Sequence, residues 1–152
     1  SACARAGEWG AALTLLRRMR HAIGSEQGER QRRARGYVPP PTVVSYNAAA
    51  AACARAGVWQ EALKLLQIMK SDGFAPDKIT YNTALDALAR ASKWKVAVGL
   101  LRGMEKRGMQ PDSIAIGTVA IACEQAGEGG LARDLLATAD VVGKVVEAEA
   151  RE

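Results

Sequence analysis

The chain has 152 residues, of which 49% are apolar and 5% aromatic, with 15 glycines, three cysteines, one histidine and a formal net charge of +5. No run of 18 apolar residues is present, so membrane insertion is not expected, and three cysteines with no C-x-x-C pair offer neither a disulfide framework nor a thiolate metal site. His21 stands alone in a basic stretch and no glycine-rich phosphate loop occurs, so a hydrolytic triad or a His-based metal centre has little material; no enzyme, cofactor or small-molecule substrate is expected.

Taken in order, Ser1 to Ala6 read as the end of a helix closed by Gly7, because glycine is freest to take the left-handed conformation that stops a helix. The chain opens Ser1-Ala2-Cys3 with no targeting segment to be read, as a piece of something longer would. Ala12, Leu13, Leu16 and Met19 then set an apolar stripe at helical spacing. Residues 1–22 are thus a partial unit. Residues 23–42 form an insertion and linker whose glycines, charges and Pro39-Pro40-Pro41 cannot build a packed core, so a solvated loop is expected. The excess charge is concentrated from the end of the partial unit into this insertion, since Arg17 to Arg35 hold seven arginines against two glutamates while the rest of the chain balances 14 basic with 14 acidic residues.

From Val43 the chain repeats. Val44-Ser45-Tyr46-Asn47 returns as Ile79-Thr80-Tyr81-Asn82, and Phe74-Ala75-Pro76-Asp77 as Met109-Gln110-Pro111-Asp112, in both cases 35 residues on. Such a period marks stacked supersecondary units, each too small to bury its apolar face alone. In unit 43–77 a first helix runs from about Val43 to Ala56 and stops at Gly57, and a second runs from Trp59 to Lys70 with Ala62, Leu63, Leu66 and Met69 on one face. Unit 78–112 repeats the plan with Trp94, Ala97, Val98, Leu101 and Met104. The last unit, 113–152, keeps Cys123 to Gly127 and Leu135-Leu136, has Gly129 in place of the tryptophan and lacks the closing Pro-Asp, as a degenerate repeat or helical cap would.

Cys53 and Cys123 occupy one repeat position, as do Trp9, Trp59 and Trp94, and helix packing explains all five; free thiols there imply a reducing compartment. Tyr46 and Tyr81, beside Asn47 and Asn82, are expected inside the stack.

These residues resemble the pentatricopeptide repeat family in its 35-residue form, whose units read V-T-Y-N, then C-x-x-G, A-x-x-L-F-x-x-M and G-x-x-P-D. Tetratricopeptide repeats, with a period of about 34 and a W-x-x-L-G-x-x-Y pattern absent here, fit less well. The resemblance implies an all-α fold, a right-handed α-solenoid of stacked antiparallel helix pairs whose first helices line a groove for single-stranded RNA. It implies base reading by Asn47 with Asp77 and by Asn82 with Asp112, a combination that favours pyrimidines, uracil over cytosine, with Val44, Ile79 and Ile114 sandwiching the bases. It also implies a mitochondrion or chloroplast and a role in RNA stability, processing or translation.

The chemistry suits these residue types. An Asn amide offers a donor and an acceptor to a Watson–Crick edge, and an Asp carboxylate can fix that amide; the same residues are also ordinary helix caps and turn formers. Arg30, Arg32, Arg33 and Arg35 suit phosphate contact, a solvated loop or docking on an acidic partner. The fifth position of the last unit is Gly117, which reads nothing, and the closing Asp of the first unit is replaced by Thr42. With roughly 1–3 kcal/mol per stacked base, two reading units support only about millimolar affinity. The alternative from another class is a non-catalytic scaffold, a structural subunit of a large organellar assembly such as a ribosome or membrane complex, whose partners are other proteins. The decayed last unit and the insertion favour it.

Overall fold

The computed structural model describes residues 2–21 and 40–138, with side chains from Glu8 onward. Among them every regular element is an α-helix: α1 (Ala2–His21), α2 (Val43–Ala56), α3 (Trp59–Ser71), α4 (Lys78–Arg90), α5 (Trp94–Lys106), α6 (Ser113–Gln125), and α7 over 129–138. The arginines at 30, 32, 33 and 35, Tyr37, and the tail from 139 lie outside the described residues, as do most of the expected insertion and the side chain of Cys3.

Three of these helices start alike. Thr42, Asp77 and Asp112 are extended N-cap residues whose side-chain oxygens accept the backbone N–H of Ser45, Thr80 and Ala115. Each cap follows a proline (Pro41, Pro76, Pro111), which has no N–H to return to an earlier carbonyl. Thr42 adds the reciprocal bond, its own N–H reaching Ser45 Oγ at 3.2 Å. The turns from α2 to α3 and from α4 to α5 need one left-handed residue: Gly57 has φ 76° and, without a glycine available, Ser92 takes φ 58°.

The same motif does not stop α1. Cys3 to Trp9 copies Cys53 to Trp59, yet α1 runs unbroken through Gly7, against the expectation of a helix end there. Glycine permits the left-handed turn without requiring it. At Gly57 the reversal is rewarded because a 14-residue helix precedes it and α3 folds back onto that helix. At Gly7 no helix folds back; α1 instead continues and packs on α2, which keeps its backbone hydrogen bonds.

Helices α2, α4 and α6 pack successively on one another, and α3 and α5 each lie against both their own first helix and the next. First helices contact each other far more than the second helices do, so the stack curves with α2, α4 and α6 on its concave side. Alanine makes the close approach possible: Ala49, Ala50, Ala52 and Ala54 on α2 and Ala84 and Ala87 on α4 are buried. The second helices are buried on a wider stripe than the periodicity alone suggests. Leu65 of α3 points into the cluster formed with α1 and α2, adjacent Leu66 points into the cluster of α4 to α6, and Leu63 is only half buried. A helix wedged between two first helices needs two apolar faces, which is why Leu65 belongs to the core. Cys53, Cys123, Tyr46 and Tyr81 are buried, and Trp9, Trp59 and Trp94 are half buried against the clusters. No helix among the described residues is long and apolar enough to cross a membrane.

Candidate nucleic-acid interface

Asn47 sits on the second turn of α2 and Asp77 caps α4, and stacking brings them together. Asn47 Nδ2 donates to Asp77 Oδ1 at 3.4 Å, and Asn47 Oδ1 accepts from Thr80 Oγ1 at 2.5 Å. Asp77 Oδ1 also takes the Thr80 N–H at 2.9 Å and lies 2.8 Å from its hydroxyl. Partial burial raises the Asp77 carboxyl, but hydrogen bonds led by the Thr80 N–H and joined by the Asn47 amide outweigh it and hold the group below the usual carboxylate range. A charged acceptor draws the N–H end of the amide, and the Thr80 hydroxyl takes the carbonyl end, so both ends of Asn47 are engaged.

One unit on, Asn82 Nδ2 donates to Asp112 Oδ2 at 3.1 Å and Oδ1 at 3.4 Å, while Asp112 caps α6 through the Ala115 N–H at 2.8 Å. Ala115 has no hydroxyl, and Asn82 Oδ1 is buried without a partner. The two pairs therefore share their carboxylate contact and differ at the carbonyl. No sequence reasoning singled out Thr80; its signal was the Thr-to-Ala change at the third position of successive units.

Flanking these pairs, Val44, Ile79 and Ile114, which share one repeat position, are 75%, 63% and 70% exposed. Next to Asn82 a surface hollow of about 350 Å³ lies between α2 and α4, lined by Ala51, Ala54 and Arg55 on one side and Ile79, Thr83 and Asp86 on the other. Gly117 sits half buried on α6 with open space where a side chain would be, so the third position in this row presents no polar group. Among the described residues no group of His, Cys, Asp or Glu could hold a metal ion.

A second polar contact ties the units together away from the pairs. Tyr46 donates to Asp72, which ends α3, and Arg20 of α1 spans the same carboxylate with Nε at 2.5 Å and Nη2 at 2.9 Å. The Arg20 guanidinium holds Asp72 below its ordinary range, while burial and then Asp72 push Tyr46 up to about 12. In the next unit Arg107 occupies the place of Asp72 and donates to Tyr81 Oη at 2.7 Å, with Lys70 over the Tyr81 ring.

Paired helices stacked in one direction, with a polar pair renewed every 35 residues on the inner layer, define a helical repeat protein of the α-solenoid class. The model of the PPR repeat family matches residues 41–90 and 76–123, and that of the PPR repeat matches residues 1–22. The chain belongs to the pentatricopeptide repeat family. No curated protein matches it. Among solved structures it is similar to the pentatricopeptide repeat protein PPR10 from maize, with a TM-score of 0.64 and 28% identity over 78% of this chain and 17% of that one. It is also similar to PPR10 in complex with an 18-nt psaJ RNA element, with a TM-score of 0.62 and 27% identity over 89% of this chain and 20% of that one. The chain thus spans about a fifth of the length of PPR10.

Proposed function

We propose that this segment binds single-stranded RNA along the concave layer of α2, α4 and α6, with Asn47–Asp77 and Asn82–Asp112 reading pyrimidines. The observation that carries this reading is the pair itself: two Asn amides 35 residues apart, each oriented by the carboxylate that closes its own unit and caps the next first helix. Exposed Val44, Ile79 and Ile114 supply flat apolar area on either side of a base, where contact is favourable and indifferent to base identity. The RNA complex of PPR10, a similar structure, supports the choice of partner. Arg30, Arg32, Arg33 and Arg35 would add phosphate contacts if the charged segment reaches the strand. The role is non-catalytic, and it lies in a mitochondrion or chloroplast, acting on RNA stability, processing or translation.

The test is a titration of the full-length protein at fixed salt with labelled single-stranded RNAs that differ only at the two bases opposite these units. Wild type is expected to prefer uracil there, and Asn47→Ala with Asn82→Ala to remove the preference. Binding that ignores both base and substitution would turn the assignment to a protein-binding scaffold in an organellar assembly, the reading that Gly117 favours by leaving α6 without a reading side chain.

A further inference from the structure

The two Asn–Asp pairs are unequal, and the inequality comes from the residue three places after each aspartate. Thr80 follows Asp77 and Ala115 follows Asp112, and in both cases the backbone N–H caps onto the carboxylate. Only Thr80 carries a hydroxyl. Its Oγ1 has one proton and two acceptors in reach, Asn47 Oδ1 at 2.5 Å and Asp77 Oδ1 at 2.8 Å, and the nearer is the amide carbonyl. Asp77 already receives the Thr80 N–H and the Asn47 amide, so it loses little if the hydroxyl proton goes to Asn47. Thr80 is itself buried, so its hydroxyl has no competing water.

We infer that Thr80 is a specificity-determining residue: it occupies the Asn47 carbonyl and leaves that amide only an N–H to offer a base, whereas Asn82, facing Ala115, keeps its carbonyl uncommitted and discriminates more strongly. This rests on the base-reading function proposed above. A lone N–H finds an acceptor on the Watson–Crick edge of every base, so it separates bases poorly. An amide with both ends available matches a neighbouring donor and acceptor together, and a wrong base leaves one of them unpaired. The orphaned Asn82 Oδ1 is in an unfavourable state that the imino N–H of uracil relieves when the amide turns toward the hollow beside Ile79 and Thr83.

The deciding experiment measures the uracil-over-adenine preference opposite each unit separately, in the full-length protein, for wild type, Thr80→Val, Thr80→Ser and Ala115→Ser. One hydrogen bond sets the scale at roughly three- to tenfold in affinity ratio. Wild type is expected to discriminate by that factor more opposite Asn82 than opposite Asn47. Thr80→Val is expected to raise the preference opposite Asn47, Thr80→Ser to return it to the wild-type level, and Ala115→Ser to lower the preference opposite Asn82. If Thr80→Val melts too low to assay, Ala115→Ser, which adds a single oxygen, decides alone. Equal preference at both units, abolished by Asn47→Ala and Asn82→Ala but unmoved by Thr80→Val and Ala115→Ser, would overturn the role of Thr80 and leave base reading intact. Preference that survives the Asn substitutions would overturn both.

Discussion

Tyr46 and Asp72 join the two ends of one repeat: the phenol of the first helix donates to the carboxylate that closes the second, and Arg20 of the preceding helix clamps the same carboxylate. The three groups come from α1, α2 and the end of α3, so the contact also ties the first partial unit to the second across the charged segment. Asp72→Ala leaves the buried Tyr46 hydroxyl without an acceptor and is expected to cost about 1–3 kcal/mol. Tyr46→Phe removes donor and need together and should cost less, and the double variant should cost less than the sum of the singles. Urea unfolding of the four proteins measures this. Equal losses for Asp72→Ala in Tyr46 and Phe backgrounds would show that the phenol does not depend on the carboxylate.

The same groups set the pH limits of stability. Asp72 and Asp77 have folded-state values below the ordinary carboxylate range, so the stability they contribute is fully present above the unfolded value of about 4 and is lost as pH falls through the lowered folded values. Tyr46 is raised to about 12, so its contribution is complete below its ordinary value of 10.0 and disappears as pH climbs toward 12. Thermal melts across pH should be flat with respect to these three groups near neutrality and fall at both extremes. Asp72→Asn should flatten part of the acid limb.

One motif predicts opposite effects of one substitution. Gly57 has φ 76° and open space at its Cβ position, so Gly57→Ala meets only a backbone penalty of about 1–2 kcal/mol. Gly7 lies inside α1, where Gly→Ala gains about 0.5–1 kcal/mol. Ser92 at φ 58° holds the place of Gly57 one unit later, and Ser92→Gly should stabilise by up to about 1 kcal/mol. Circular-dichroism melts of the three variants give the signs directly. A stabilising Gly57→Ala would contradict the left-handed turn.

Burial raises the Cys53 thiol to about 11, with Glu61 adding to it, and burial raises Cys123 as well. Thiolate is scarce at neutral pH for both, and both are enclosed by helix packing. Iodoacetamide at pH 7.5 should leave them unlabelled in the native state and label them once urea unfolds the stack, as read by peptide mass mapping. Rapid native labelling of Cys53 would mean that α2 opens.

The capping role of the aspartates has to be separated from any role toward RNA. Asp77→Ala and Asp112→Ala each remove an N-cap and should cost about 1–2 kcal/mol without any ligand. Asp77→Ser keeps a cap oxygen and removes the charge that orients Asn47. It is expected to hold stability within about 1 kcal/mol of wild type and to weaken base preference opposite Asn47. A loss of stability matching Asp77→Ala would assign Asp77 to folding first.

Much of this protein was written in local sequence. The 35-residue offset between Asn47 and Asn82, the prolines before each cap, the apolar stripes at helical spacing and the glycine after Ala56 specify helix pairs and their stacking, because each is a sequence signal with its own steric or hydrogen-bonding cause. The repeat set the spacing of Asn47, Asp77, Asn82 and Asp112, and the family resemblance singled them out as a site. Tertiary structure decided the rest. Whether a glycine ends a helix depended on whether the next segment folds back there, so Gly57 turns and Gly7 does not. Leu65 joined the core because α3 is gripped from two sides. The difference between Asn47 and Asn82 rests on a hydroxyl 33 residues from the amide it meets, a contact that exists only after α2 and α4 have stacked. Periodicity is a property of neighbours along the chain, whereas hydrogen-bond partners and burial belong to neighbours in space.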